Sequence, residues 1–312
     1  MRYTENAINV LTARTFKGIG RAWFAKNWHN SFTNVADIVQ LLKHDSQEDI
    51  ISIEKFEEKR ETILAALTRS EQYIDGVVAI GDDEFPQYRG NVKHSERPIF
   101  LFYKGDLSLL SKSNLNIAVI GLLTPTVEIE QREQKIVAEL VKENAVIVSG
   151  LALGCDTIAH KQTLEMGGKT IAILPSPLSN ISPASNRDLA HKIVEQGGLL
   201  ITEYLTVPKN KRDIIGRYQE RDRLQALFSD CVLLSASYAK NDQGLDSGSR
   251  LALGYASDYN IPRAVLYSQS EDANPMYDLN RHYMRDQSVI VVNEQTMRED
   301  IELLFPRKKT LF

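Results

Sequence analysis

The sequence predicts an α/β chain, a doubly wound, mostly parallel sheet behind a small all-helical N-terminal domain. Three observations lead there. Nine short β-rich runs follow one another from about residue 73, and several are apolar on both faces, as covered parallel strands must be. Helical segments fill the gaps between them, and strands alternating with helices wind a sheet with helices on both faces. The first seventy or so residues instead repeat apolar side chains every three or four positions, with no strand pattern among them.

Residues 1–72 read as helices: "NAINVLTARTF", "GRAWFAKNWH", "TNVADIVQLLK" and "SIEKFEEKRETILAALTRSEQYI", broken by short polar stretches. Such a domain resembles sterile-alpha-motif or helix-hairpin-helix modules. Phe16-Lys-Gly-Ile-Gly20 joins two of these helices, and loop amides in that setting can meet a phosphate. A tight turn that needs positive φ explains the two glycines as well, and is the reading adopted. From 73 to 305 the runs at 76–81, 99–105, 116–121, 145–150, 169–174, 198–204, 231–237, 263–267 and 288–292 are the expected strands. Expected helices lie at about 127–143, 156–166, 187–196, 221–229 and 246–258, which makes the sheet Rossmann-like. Residues 306–312 form a short basic tail.

Composition removes several classes of function. No apolar run approaches the roughly 20 residues a membrane helix needs, and the N-terminus lacks an apolar core with a small-residue cleavage site. A cytoplasmic protein without a membrane partner is expected. Cys155 and Cys231 lie far apart, each at the edge of an apolar segment, which suits reduced core thiols. The six histidines show no paired spacing, so neither a metal nor a cofactor is expected. Net charge is −4, from 37 basic and 41 acidic residues, which excludes the simplest nucleic-acid signal, a basic whole chain. A local patch remains: "KNKRDIIGRYQERDR", residues 209–223, reads as a basic surface loop.

Ligands of such a sheet bind beyond the carboxyl ends of its strands. There stands Ser149-Gly-Leu-Ala-Leu-Gly-Cys-Asp-Thr-Ile-Ala-His160, "SGLALGCDTIAH". Gly150 lets the chain turn off its strand, and Gly154 keeps side chains away from the first amides of the next helix, which favour an anion. Asp156 sits near the helix start, with His160 one turn on. The spacing is neither the dinucleotide fingerprint nor a P-loop. "SPASNRDLA" puts Ser185 or Asn186 at a helix N-terminus, with Ser185 and Asp188 in capping-box spacing. Gln243-Gly244 and "SGSRLALGYA" form another small-residue loop before a helix, with Arg250 one turn in. No Ser-His-Asp order, carboxylate pair or activated cysteine stands out, so a non-enzymatic role is expected.

These loops, in this order, resemble the DNA-processing protein A (DprA, or Smf) family. The motif "SGLALGCDTIAH", the stretch "GGKTIAILPSPLSNISPASNRDLAHKIVEQGGLLITEY", the entry "LFYKGDLSLL" and the closing "DLNRHYMRDQSVIVVNEQTMREDIELL" carry the likeness over about 73–305. The resemblance implies a Rossmann-like core that binds single-stranded DNA as a homodimer and helps load a RecA-type recombinase. It implies a DNA or phosphate site at Gly121, Ser149, Gly150, Gly154, Asp156, His160, Asn186, Lys209, Lys211, Arg212, Arg221, Arg223, Gly244 and Arg250. It also shows departures. Leu123 and Leu153 stand where the family has arginines, and Glu220 and Asp222 are interleaved with Arg221 and Arg223. With only "FPRKKTLF" after the closing helix, no counterpart of the family's optional C-terminal winged helix is expected. Two alternatives follow from these losses: an antitoxin or phage-defence component whose partner is a toxin protein, and a sensor of a free nucleotide.

Overall fold

The computed structural model describes residues 1–240 and 248–305. Gly244 and the basic tail lie outside the described residues. The N-terminal helices are α1 (Glu5–Ala13), α2 (Arg21–Asn27), α3 (Val35–Asp45) and α4 (Ile53–Ser70). Thr4, Asn34 and Ser52 start α1, α3 and α4 by accepting a first-turn amide on their side chains. Between α1 and α2 the chain turns through Gly18, at a φ of +88°, a conformation that favours glycine. Trp23, Phe24, Trp28 and Phe32 pack together beneath these helices, and Trp28 Nε1 donates to Asn6 Oδ1 at 2.9 Å.

Among the described residues nine strands form a single sheet: β1 (Gly76–Ala79), β2 (Phe100–Gly105), β3 (Asn116–Ile120), β4 (Val146–Ser149), β5 (Thr170–Ile173), β6 (Leu199–Thr202), β7 (Cys231–Leu234), β8 (Arg263–Leu266) and β9 (Val289–Val292). Their order is β1-β2-β6-β5-β4-β3-β7-β8-β9. The β1–β2 and β2–β6 pairs are antiparallel, and every other pair is parallel. From β3 the chain winds outward through β4, β5 and β6, then crosses back to β7, β8 and β9 on the other side. The carboxyl ends of β3 and β7 are therefore the switch point, where neighbouring loops part and leave a crevice. Helices α5 (Val127–Lys142), α6 (Cys155–Glu165), α7 (Arg187–Glu195), α8 (Lys211–Leu227), α9 (Ser249–Asp258), α10 (Asp278–Tyr283) and α11 (Met297–Glu302) complete the architecture. None of the described helices is long and apolar enough to cross a membrane.

The helical region and the sheet do not have separate cores. Ile8, Phe24, Trp28 and Leu42 share one apolar cluster with Val77, Phe102, Ala172 and Leu200 of the sheet. Arg2 extends this union by pairing beside β1: its N–H donates to Asp75 O, and its carbonyl accepts from Val77 N.

Residues 209–223, read from the sequence as a surface loop, are mostly helix. Asn210 caps α8 by accepting from Asp213 N, and the helix runs on to Leu227. Periodicity concealed it because the buried side of α8 carries Arg217, Arg221, Asp222, Arg223 and Gln225. Each arginine is paired, as buried charge requires. Arg217 bonds Asp213 and the carbonyls of Thr206 and Val207 while lying on the Tyr204 ring. Arg223, 1% exposed, bonds Glu203 at 2.5 Å, Glu220 at 3.1 Å and the Glu96 carbonyl. Arg21 from α2 reaches the same two acids, Glu203 at 3.1 Å and Glu220 at 2.7 Å. Two arginines and two glutamates thus close a ring that ties the helical region to α8.

The ring members differ in burial, so their loss should differ too. Arg223→Leu leaves buried Glu203 with only the partly solvated Arg21 and is expected to destabilise the chain by about 3 kcal/mol. Arg21→Leu removes a partly solvated partner and should cost about 1 kcal/mol. Urea unfolding of both variants checks the order, and equal losses would contradict it.

Candidate nucleic-acid interface

At the switch point lies a cleft of about 490 Å³, within the range of small-ligand sites. Its floor is built on the turn after β4. Gly150 leads off the strand; a Cβ there would lie 1.2 Å from a terminal nitrogen of Arg221, so only glycine leaves room for the guanidinium. Arg221 bonds Asp156 Oδ2 at 3.2 Å and faces Asp222 Oδ1 at 3.3 Å. The Gln225 amide fits between them when its nitrogen donates to Asp222 Oδ1 and its oxygen accepts from Gly150 N. Burial alone would lower the Arg221 guanidinium, but Asp222 and Asp156 outweigh it and hold the cation more firmly charged. Burial pushes the Asp222 carboxyl up to about 7, with Arg221 pulling the other way and Asp156 adding to the rise.

The glycine loop does not present an open anion cradle. Gly150 N and Ala152 N both donate to Asp156 Oδ2 at 3.1 Å, and Cys155 N donates to Leu122 O at 2.9 Å. Gly154, at a φ of +70°, is the residue before α6; a Cβ on it would strike Leu122 O at 2.2 Å. Leu151 is held in the left-handed region at a φ of 57°, a strained conformation for a branched residue. Asn186 holds it there: its amide donates to Leu151 O, Ala152 O and Thr157 Oγ1. That role replaces the capping one, because Asn186 precedes α7 without a side-chain cap bond and the Ser185–Asp188 box is not formed.

Of the residues singled out from sequence, Gly121, Gly150, Asp156 and Arg221 line the cleft together. Ser149 and His160 lie beneath it. The Ser149 hydroxyl donates to Val119 O, and His160 Nδ1 shares a 2.7 Å hydrogen bond with Thr170 Oγ1. Burial depresses His160 to about 4, which keeps the imidazole neutral near pH 7. Arg223 does not reach the cleft, being enclosed in the ring with Glu203 and Glu220. Lys209, Lys211 and Arg212 are exposed at the start of α8, outside the cleft, and Arg250 sits in the first turn of α9. Sequence reasoning missed the walls. Leu123, Leu153 and Ile215, each about half exposed, and Tyr218 converge on this cleft from three elements. Among the described residues lining it, Arg221 is the sole cation.

Beneath Gly121, buried Glu133 of α5 lies beside the Cys155 thiol and the Ser235 hydroxyl, and neither carboxyl oxygen makes a well-formed hydrogen bond. Burial raises Glu133 from 4.5 to about 8, and raises Cys155 as well, leaving an inert thiol.

Two variants check this geometry. Gly150→Ala must displace the guanidinium from Asp156, with an expected loss of about 3 kcal/mol in urea unfolding; a neutral change would contradict the close approach. Glu133 has a folded value above its unfolded one, so its contribution is complete below pH 4.5 and lost as pH rises through about 8. Glu133→Gln should therefore flatten the fall in unfolding free energy between about pH 5 and about pH 9. An unaltered slope would show that Glu133 is not the group being titrated.

Comparison with known proteins agrees with this architecture. The DNA processing protein DprA of Streptococcus pneumoniae (strain R6) is 38% identical over 213 residues, 66% of this chain and 68% of that protein. Protein Smf of Borreliella burgdorferi is 29% identical over 55% of this chain and 54% of its own length. The chain thus spans about half the length of several curated relatives it matches. In three dimensions it shares the fold of the X-ray structure of DNA processing protein A from Streptococcus pneumoniae, with a TM-score of 0.71 at 24% identity, over 98% of this chain and 99% of that one. DNA processing protein A from Helicobacter pylori, described for its single-stranded DNA binding mode, superposes with a TM-score of 0.55 at 28% identity, over 72% of this chain and all of that one. The family model for DNA recombination-mediator protein A matches residues 76–302, well over half of the sequence. The chain belongs to the DNA recombination-mediator protein A family.

Proposed function

We propose that this chain binds single-stranded DNA across the mouth of the cleft and acts as a recombination mediator without catalysing a reaction. One observation carries the reading: an exposed basic turn, Lys209, Lys211 and Arg212, runs directly into an apolar and aromatic mouth. Lys211, Ile215, Tyr218, Asp222 and Gln225 recur every three or four residues, so helix geometry puts them along one face of α8. Lys211 and Ile215 are about 6 Å apart along the axis. Single-strand sites combine such parts, cations that follow the backbone and flat or apolar surfaces on which bases stack. The named binding mode of the Helicobacter pylori relative supports the same choice.

The backbone is assigned to Lys209, Lys211 and Arg212, and the bases to Leu123, Leu153, Ile215 and Tyr218. Arg221 and Arg223, the sequence-based choices, are held internally by acids and take no backbone contact in this reading. On the same reading the chain works in the cytoplasm as a homodimer that passes the strand to a RecA-type recombinase. The Streptococcus pneumoniae and Helicobacter pylori relatives are named as DNA processing proteins, and the relatives lend the antitoxin and nucleotide-sensor alternatives no support.

Fluorescence anisotropy of a labelled single strand, titrated at several salt concentrations, tests the assignment. Replacing Lys209, Lys211 and Arg212 together with alanine removes up to three phosphate partners, so the logarithmic salt slope should shrink by about 2 and affinity should fall about tenfold or more at low salt. Binding with an unchanged slope would place the backbone elsewhere.

A further inference from the structure

The floor of the cleft suits a hydrogen-bond donor better than an anion. Arg221, the one cation among the described residues that line it, already faces two carboxylates, Asp156 and Asp222. With both ionised the group carries a net negative charge, so a phosphate entering here gains no spare cation. Asp156 Oδ2 is occupied by the amides of Gly150 and Ala152. Asp222 differs: Oδ1 faces Arg221, whereas Oδ2 points toward the Gly248 backbone and has no hydrogen-bond partner among the described residues. Asp222 is 8% exposed, and the cleft is its outlet. Open to the cleft, that oxygen is free to accept from a donor that enters.

Apolar walls define what kind of donor fits. Leu123 and Leu153 from the loops after β3 and β4, with Ile215 and Tyr218 from α8, line the cleft with apolar and aromatic surface of the kind on which a base stacks. Among the bases, guanine alone presents two adjacent donors, N1–H and the 2-amino group, on its pairing edge. Thymine offers one donor between two acceptors. Adenine and cytosine set an amino group beside an acceptor nitrogen, which a carboxylate repels.

We propose that the cleft selects guanine, whose pairing edge the Asp222 carboxylate reads between these apolar walls. The inference rests on the single-strand reading when the base belongs to DNA, but the same chemistry would admit a free guanine nucleotide. Asp222 faces Arg221 on its own helix, Asp156 from α6 and Tyr255 from α9. Its carboxyl is raised to about 7, so the reading form gains population as pH rises through neutrality.

The test titrates the intact chain with labelled oligothymidylates that differ only at one central base: guanine, hypoxanthine, adenine, cytosine or thymine. Guanine should bind about tenfold tighter than thymine, with hypoxanthine, which lacks the 2-amino group, in between. The guanine preference should be larger at about pH 8 than at about pH 6. Asp222→Asn should bring the ratio of guanine-strand to thymine-strand affinity close to one, read within that variant. Where that variant fails to fold, the pH dependence of the intact chain decides alone. Equal binding of all five strands overturns the inference and leaves the single-strand reading standing. If no strand binds, calorimetry with guanosine and adenosine 5′-monophosphates separates the two ideas. Heat with the guanosine compound alone supports guanine selection and overturns the single-strand reading, and heat with neither overturns both.

Discussion

Four consecutive charges on α8, Glu220-Arg221-Asp222-Arg223, hold the functional end of this fold together. Successive residues on a helix point about 100° apart, so the quartet divides its work. Glu220 and Arg223 close the ring with Arg21 and Glu203, joining the helical region to the sheet. Arg221 and Asp222 turn toward the switch point, where Asp156 completes the floor of the cleft. Buried charges tolerate the loss of a partner poorly, so neither half can change alone without leaving an unmatched ion. Gly150 belongs to this constraint, because the guanidinium occupies the space a side chain would need.

Neutralising Arg221 decides the chemistry of the cleft. An arginine at a switch point reads as a phosphate clamp, yet here it is ion-paired with two aspartates and hydrogen-bonded to Asp156, which also accepts the nearest loop amides. The positions at which the family resemblance implies further arginines are Leu123 and Leu153, and both side chains form its walls. Positive charge is left outside, on Lys209, Lys211 and Arg212. The division favours a strand whose backbone stays at the rim while its bases reach inward.

Sequence reading located all nine strands and the switch-point loop, because short β-rich runs between helical stretches are a strong local signal. It caught only the C-terminal part of α8, expected at 221–229, and read 209–223 as a loop, because paired charges on the buried side mask the helical period. It also placed Arg223 and His160 at the ligand. Their partners, Glu203 and Arg21 by way of the ring, and Thr170 for the imidazole, come from other elements of the fold. No spacing rule announces that Asn186 pins the carbonyls of Leu151 and Ala152 from the far side of a strand. Gly150 was legible as a turn, but its deeper reason, contact with an arginine 71 positions later, required the third dimension.

An experimental structure of the chain with a short single strand tests the central claim most directly, since it reads base and backbone positions together. The account predicts a base between Leu123, Leu153, Ile215 and Tyr218, phosphates on Lys209, Lys211 and Arg212, and an intact Arg221–Asp156 pair. A phosphate on the amides of Gly150 and Ala152, with Asp156 displaced and Arg221 turned to meet it, would contradict the account.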